Sequence, residues 1–314
     1  MLNIQPLHNR MSYLYIIFLL FGIVLSKPYN KQYIVAAYFG IFDDDYIYTM
    51  RVNDTIQWSM FDRIYIAFAT VNKYGELNNT HIYNNEKIFN IISLYKKARP
   101  NGKIFISSDY GDEIDKYYLY AAKNPVKFAN SVVNYMNTFN INGYDIDWET
   151  SFINNWSNDL VNIITTCSKI FNTKYKITHT IWPEVHSTET VALLSNIVDE
   201  INIMSYGINI DNLEKLINQY NNSGFPYEKM MIGIETEFGE SKEVILGKVN
   251  LVNKYHLAGV YIWRLDNDNM IMVNDTKIPT FKTTKLLYDI IFFVFLKDFL
   301  MTFYENLLFF YDIF

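Results

Sequence analysis

Eight short runs rich in β-branched and aromatic residues recur along this chain, at 34–39, 63–69, 103–108, 143–148, 176–181, 200–205, 230–234 and 259–263. Several are apolar almost without a break, as in Ile64-Tyr65-Ile66-Ala67-Phe68. A strand covered on both faces reads this way, because neither face meets water. The intervals carry helix-like patterns. Asn124-Pro125 opens one that continues through Phe128, Val132, Val133, Tyr135 and Met136, and 189–197 and 241–254 read similarly. Proline suits a first helical turn, where its missing N–H is not needed, and the apolar spacing is that of one helix face. Eight such alternations in about 250 residues predict a closed parallel sheet ringed by helices, an α/β fold of the (β/α)8 TIM barrel type. The interval 235–258 between the last two runs holds only a loop and one helix. The barrel is therefore expected as a single domain without an inserted α+β domain, and its cleft as shallow and open.

The fourth run carries the chemistry. Asn142-Gly143-Tyr144-Asp145-Ile146-Asp147-Trp148-Glu149 places three acids at every second position, interleaved with apolar residues. Alternate side chains of a strand share a face, so Asp145, Asp147 and Glu149 point one way. Like charges this close resist ionising together, and at least one proton should be held tightly. Three carboxylates on one buried strand are costly for a fold and useful for acid–base work. A purely structural reading needs all three satisfied by caps or ion pairs. Glu149 falls at the carboxyl end of its strand, where barrels of this kind place their reacting groups.

The remaining composition narrows the class. The 314 residues are 50% hydrophobic, enough for one large domain or two small ones. A net charge of -6 and no basic stretch argue against a nucleic-acid partner. The lone cysteine, Cys167, forms no internal disulfide and sits in what reads as a helix face, as a packed thiol. None of His81, His179, His186 and His256 stands in metal-ligand spacing, and no metal or cofactor is expected. His179 reads as a satisfied core residue.

Arg10 precedes an apolar run over 13–25 that ends in Val24-Leu25-Ser26, the pattern of a secretory signal over 1–26 and too short for a comfortable membrane span. An uncleaved anchor is the alternative. Sequons at Asn53, Asn78, Asn155, Asn221 and Asn274 are compatible with a secreted product. The catalytic barrel is placed over 27–285 and a hydrophobic helical tail over 286–314. In that tail Asp289 and the Lys297-Asp298 pair interrupt any membrane span. It reads as the last barrel helix followed by an extra amphipathic helix, packed on the domain or in peripheral membrane contact. The whole is expected to be monomeric.

At this point the chain resembles the family 18 glycoside hydrolases, the chitinase family, from about residue 33 to 263. Gly143 to Glu149 matches the family pattern D-G-x-D-x-D-x-E except at its first position, where Asn142 stands for Asp. Tyr65-Ile66-Ala67-Phe68-Ala69 resembles the family's second strand and Val35-Ala36-Ala37-Tyr38-Phe39 its first. Met204-Ser205-Tyr206 matches M-x-Y on the sixth, Lys229 to Ile234 resembles the seventh, and Gly259-Val260-Tyr261-Ile262-Trp263 the eighth.

The resemblance implies substrate-assisted hydrolysis of a β-linked N-acetylglucosamine bond, in chitin or a related glycan. Glu149 would be the general acid that later activates water. Asp147 would hold the acetamido N–H of the sugar and share a proton with Asp145 behind it. Tyr206 would donate a hydrogen bond to the acetamido group. Trp263 would stack beneath the ring, Ser107 would bond to Asp145, and Met204 belongs to the matched M-x-Y. Tyr38, Phe39, Phe68 and Trp182 read either as a sugar groove or as packing. Trp263 and Tyr206 carry the same packing alternative. The chain departs from the family in three further places. Ser107-Ser108-Asp109-Tyr110 replaces S-x-G-G, Gly207 replaces the Asp after Tyr206, and Glu235 and Glu237 replace a proline and an aromatic. An endo-β-N-acetylglucosaminidase acting on N-glycan cores and a non-catalytic chitinase-like lectin are the alternatives that stay open.

Overall fold

The computed structural model describes residues 33–41, 58–78, 85–108, 112–149, 156–273 and 276–313. The signal-like segment, Asp109 and Tyr110, and the sequons at Asn53, Asn155 and Asn274 lie outside the described residues.

Eight parallel strands form the barrel: β1 (Ile34–Gly40), β2 (Arg63–Val71), β3 (Lys103–Ser108), β4 (Gly143–Ile146), β5 (Lys176–Ile181), β6 (Glu200–Ile203), β7 (Met230–Glu235) and β8 (Gly259–Trp263). Each pairs with the next in sequence, and β1 pairs with both β2 and β8, which closes the cylinder. Helices run between them: α1 (Asn85–Ala98) before β3, α2 (Asp112–Lys123) and α3 (Pro125–Phe139) before β4, α4 (Trp156–Phe171) before β5, α5 (Thr188–Leu194) before β6, α6 (Ile210–Asn222) before β7 and α7 (Lys242–Tyr255) before β8. The final helix, α8, spans Lys282–Ile313.

The two faces of each strand meet different surroundings. Outward side chains such as Val35, Phe39, Ile64, Ile66, Ile104, Ile106, Ile201, Ile203, Val260 and Ile262 pack with the helices in one large apolar cluster. Inward side chains Ala36, Tyr38, Tyr65, Phe105, Met231 and Tyr261 form a separate cluster inside the cylinder. This is the period-2 alternation of a strand applied around a closed sheet.

Local chemistry sets the helix ends. Pro125 stands in the first turn of α3, and Asn140 closes that helix in the left-handed region at φ 50°. Ser187, Asn209 and Ser241 accept backbone N–H groups at the starts of α5, α6 and α7. The buried Asp268 carboxylate accepts the N–H groups of Thr283 at 3.0 Å and Thr284 at 2.7 Å, which anchors α8 beside the barrel. Cys167 is buried on α4, and burial pushes its thiol up.

Two findings differ from expectation. Residues 282–313 form one helix rather than a barrel helix followed by a second one. At 1.5 Å per residue it is about 48 Å long. Leu287, Ile290 and Ile291 are buried against the domain, whereas Tyr288, Phe292 and Phe293 are exposed. Among the described residues no helix is long and apolar enough to cross a membrane. The second difference is a small antiparallel hairpin, Met270–Val273 with Thr276–Pro279, between β8 and α8.

Candidate active site

Strand alternation on β4 turns Asp145 and Asp147 into the barrel and turns Tyr144, Ile146 and Trp148 outward into the apolar layer, all five buried. Gly143 lets β4 approach β3, since a Cβ there would lie 2.7 Å from the Phe105 ring. Register then builds a cradle. Ser107 of β3 and Thr178 of β5 lie directly beside Asp145. The Asp145 Oδ2 accepts Ser107 Oγ at 2.7 Å, the Tyr38 hydroxyl at 2.9 Å and Thr180 Oγ1 at 3.0 Å. Its Oδ1 accepts Thr178 Oγ1 at 2.6 Å and Asn202 Nδ2 at 3.3 Å. Burial pushes the Asp145 carboxyl above the usual range, and the bonds from Thr178, Ser107, Tyr38 and Thr180 pull it back. Five donors converging on one side chain are what a fully buried carboxylate needs to stay ionised.

Asp147 lies one layer higher, 3% exposed, and is hydrogen-bonded to Glu149. Glu149 is half-buried at the rim. Burial holds its carboxyl above the usual range, against the pull of the Asp147 bond. The direction is the one the sequence argument expects, but its cause is loss of water, and the neighbouring acid pulls the other way. Tyr206, just past β6, shares this space. Burial keeps its phenol protonated, and the nearby Asp147, Glu149 and Glu235 act in the same sense, while a long bond to the Tyr261 hydroxyl (3.4 Å) opposes them. Tyr206 is thus a protonated phenol near the acids, its hydroxyl donating to that of Tyr261.

Trp263, at the end of β8, is half-buried. Its ring meets Phe68 at 5.6 Å and the edge of Tyr38 at 5.4 Å. Met204 is half-buried beyond β6, tied by its N–H to the Ile181 carbonyl at 2.9 Å. The Ala67–Phe68 and Trp263–Arg264 peptides are both cis.

Tyr38 and Phe68 correct the sugar-groove expectation. They are 1% and 3% exposed, so neither ring offers a face for a pyranose. Tyr38 stacks on Tyr65 at 4.5 Å inside the cylinder and acts through its hydroxyl. Phe39 faces the outer apolar layer, and of the four aromatics only Trp182 is substantially exposed, at 39%. Gly207 is exposed at φ 67°, and a side chain there would meet open space. Glu235 is half-buried and accepts the Phe238 N–H at 3.0 Å, while Glu237 is solvated.

Several supporting residues are not evident from the sequence. Tyr261 is buried facing Asp147 and Asp145, and a Cβ at Gly233 would lie 2.7 Å from its hydroxyl. Lys248 of α7 is fully buried and donates to the Ser205 carbonyl at 3.0 Å, the Gly233 carbonyl at 2.7 Å and Glu240 at 2.6 Å. It clamps the segment that carries Tyr206. Thr178, Thr180, Asn202, Tyr65 and Arg63 complete the interior. Their only sequence signal is a polar group at the inward parity of an apolar run. His179 is buried, bonds the Ile146 carbonyl at 2.8 Å and packs edge-on against His186 at 4.9 Å. Among the described residues no three His, Cys, Asp or Glu side chains converge as metal ligands.

The arrangement joins a protonatable acid, an acidic neighbour, a protonated phenol and an aromatic surface. Known proteins share the fold that carries it. The family model for Glycosyl hydrolases family 18 matches residues 34–238. No curated protein matches by sequence. A class V chitinase from Nicotiana tobaccum is 15% identical with a TM-score of 0.66, over 82% of this chain and 98% of its own. A GH18 chitinase from Cycas revoluta in complex with (GlcNAc)3 is 13% identical with a TM-score of 0.66, over 82% and 98%. A chitinase-like agglutinin from Robinia pseudoacacia is 13% identical with a TM-score of 0.67, over 81% and 98%. At these identities the likeness is one of fold.

Proposed function

Since the chain belongs to glycosyl hydrolase family 18, we propose that it is a secreted hydrolase of β-1,4-linked N-acetylglucosamine polymers that works with its substrate's own amide as nucleophile. The observation that carries this reading is the Glu149–Asp147 hydrogen bond at the barrel rim, with the Glu149 carboxyl held above its ordinary range by burial. A general acid near neutrality needs such a shift.

In the proposed reaction Glu149 gives its proton to the glycosidic oxygen as the bond to the anomeric carbon breaks. The acetamido oxygen of the same sugar attacks that carbon and forms an oxazolinium ion. Asp147 accepts the acetamido N–H and offsets the new positive charge. Tyr206 donates to the acetamido oxygen, and Trp263 supports the ring. Glu149, now a carboxylate, takes a proton from water, which opens the intermediate and restores the starting configuration.

The test compares the parent protein with Glu149→Gln on fluorogenic chitooligosaccharides. Turnover in the parent and a loss of about three orders of magnitude in the variant, with binding retained, is the expected result. One observation favours a second reading. The Robinia pseudoacacia agglutinin has the same fold at a TM-score of 0.67. Oligosaccharide binding with no turnover by the parent would establish the lectin reading instead.

A further inference from the structure

Asp145 is linked to the opposite end of the barrel by side chains that the proposed reaction does not use. At the floor, Arg63 forms a two-pronged ion pair with Glu200, and its guanidinium lies 4.3 Å over the Phe105 ring. Arg63 Nη1 also donates to the Tyr65 hydroxyl at 2.8 Å. That hydroxyl donates to Asn202 Oδ1 at 3.4 Å. Asn202 Nδ2 donates to the Tyr38 hydroxyl at 2.8 Å and to Asp145 Oδ1 at 3.3 Å. Tyr38 passes the bond on to Asp145 Oδ2.

The two ends fix the sense of this chain. A guanidinium only donates and a carboxylate only accepts, so Tyr65 and Asn202 are turned the same way. The Tyr38 hydroxyl carries the bond on to Asp145 either directly or through Thr180 Oγ1 at 2.8 Å, which itself donates to Asp145 Oδ2. A group that is already accepting a bond donates a stronger one. The path is dry along its length, with Arg63 at 6% exposure and Tyr65, Asn202, Tyr38 and Asp145 at 1% or less.

We propose that Tyr65 and Asn202 are positioning residues that relay the polarity of the floor cation to Asp145, holding it as an anion in one orientation beneath Asp147. The groups around Asp145 and the relay come from every neighbouring strand. They are Tyr38 on β1, Tyr65 and Arg63 on β2, Ser107 on β3, Asp147 on its own strand, Thr178 and Thr180 on β5, Asn202 and Glu200 on β6, and Tyr261 on β8. β7 sends Met231 to the floor, 3.9 Å from Arg63. Glu200 offsets the charge of Arg63 at a distance, yet only the Arg63 N–H is in hydrogen-bonded contact with the relay.

Tyr65→Phe removes one oxygen from the middle of the path. It keeps the ring that stacks on Tyr38, and Tyr65 is not among the direct donors to Asp145. The intact protein, labelled with 13C at Asp carboxyls, is titrated by NMR, with Asp145→Asn to assign the resonance. The expected result is a rise of about half a pH unit or more in the Asp145 midpoint in Tyr65→Phe. Arg63→Lys keeps the floor charge, gives up the guanidinium N–H that Tyr65 accepts and removes no direct bond to Asp145, so it should shift the midpoint the same way and serves if Tyr65→Phe folds poorly. An Asp145 midpoint that stays put in a folded variant overturns the proposal. The acid limb of kcat/KM on chitooligosaccharides should move upward by the same amount. That arm rests on the hydrolase reading, whereas the NMR arm does not, so a parent without turnover refutes that reading and leaves the relay to be judged by NMR alone.

Discussion

The outward and inward faces of the barrel strands obey different rules. Outward positions are mostly aliphatic and pack against helices, as Ile64, Ile66, Ile104 and Ile106 do. Inward positions near the site are hydroxyls, an amide, acids and tyrosine rings, each held by named bonds. One face holds the molecule together through area removed from water. The other gives up apolar burial to fix a carboxylate, and it regains stability through satisfied hydrogen bonds. A single strand thus divides its work by parity, with stability on one set of alternate positions and chemistry on the other.

If that division holds, damage should differ in kind between the faces. Ile66→Ala, on the outer face, should cost about 2–5 kcal/mol of unfolding free energy from urea titration and leave kcat within about twofold. A large fall in kcat in a folded Ile66→Ala protein would erase the distinction. A second effect belongs to the histidines in that outer layer. Burial lowers His186 to about 4, and His179 is lowered too, by burial and by His186. The folded state keeps these rings neutral, while the unfolded chain protonates them near its ordinary value of about 6.5. Stability is therefore lost as pH falls from about 6.5 towards 4, by about 2 kcal/mol at pH 5 for His186 alone. The raised carboxyls of Asp145 and Glu149 act in the opposite sense at low pH. The histidine share is accordingly read as the difference between the parent and His186→Phe in urea titrations at pH 7 and pH 5, and equal slopes would show that the pair is hydrated. The smallest stability change is expected on the inner face. Tyr38→Phe should cost about 1 kcal/mol of stability yet lower kcat about tenfold on chitooligosaccharides, a ratio opposite to that of Ile66→Ala.

The barrel was legible because its strands are short apolar runs at regular intervals, and Glu149 was legible because three acids alternate on one of them. Tyr38 and Phe68 were misplaced for a physical reason. Parity tells which face a side chain takes, but its height along the barrel axis depends on stagger between strands. Tyr38 pairs in register with Tyr65, deep in the cylinder, and Trp263 with Glu235 at the rim. The floor pair was invisible because Arg63 and Glu200 stand 137 residues apart and neither sits in a motif. The single long α8 was hidden by its own composition, since apolar residues crowd all of its faces and mark no break.

One glycine, Gly233 of β7, helps to shape the site. Its missing carbon is the room in which the Tyr261 hydroxyl lies, on the neighbouring strand and in direct register with it. A methyl group at that spot would crowd both the phenol and the Ile203 carbonyl, 2.9 Å away, and so disturb the bond that Tyr206 makes to Tyr261. The shape of the reaction chamber is thus set partly by an atom that β7 leaves out.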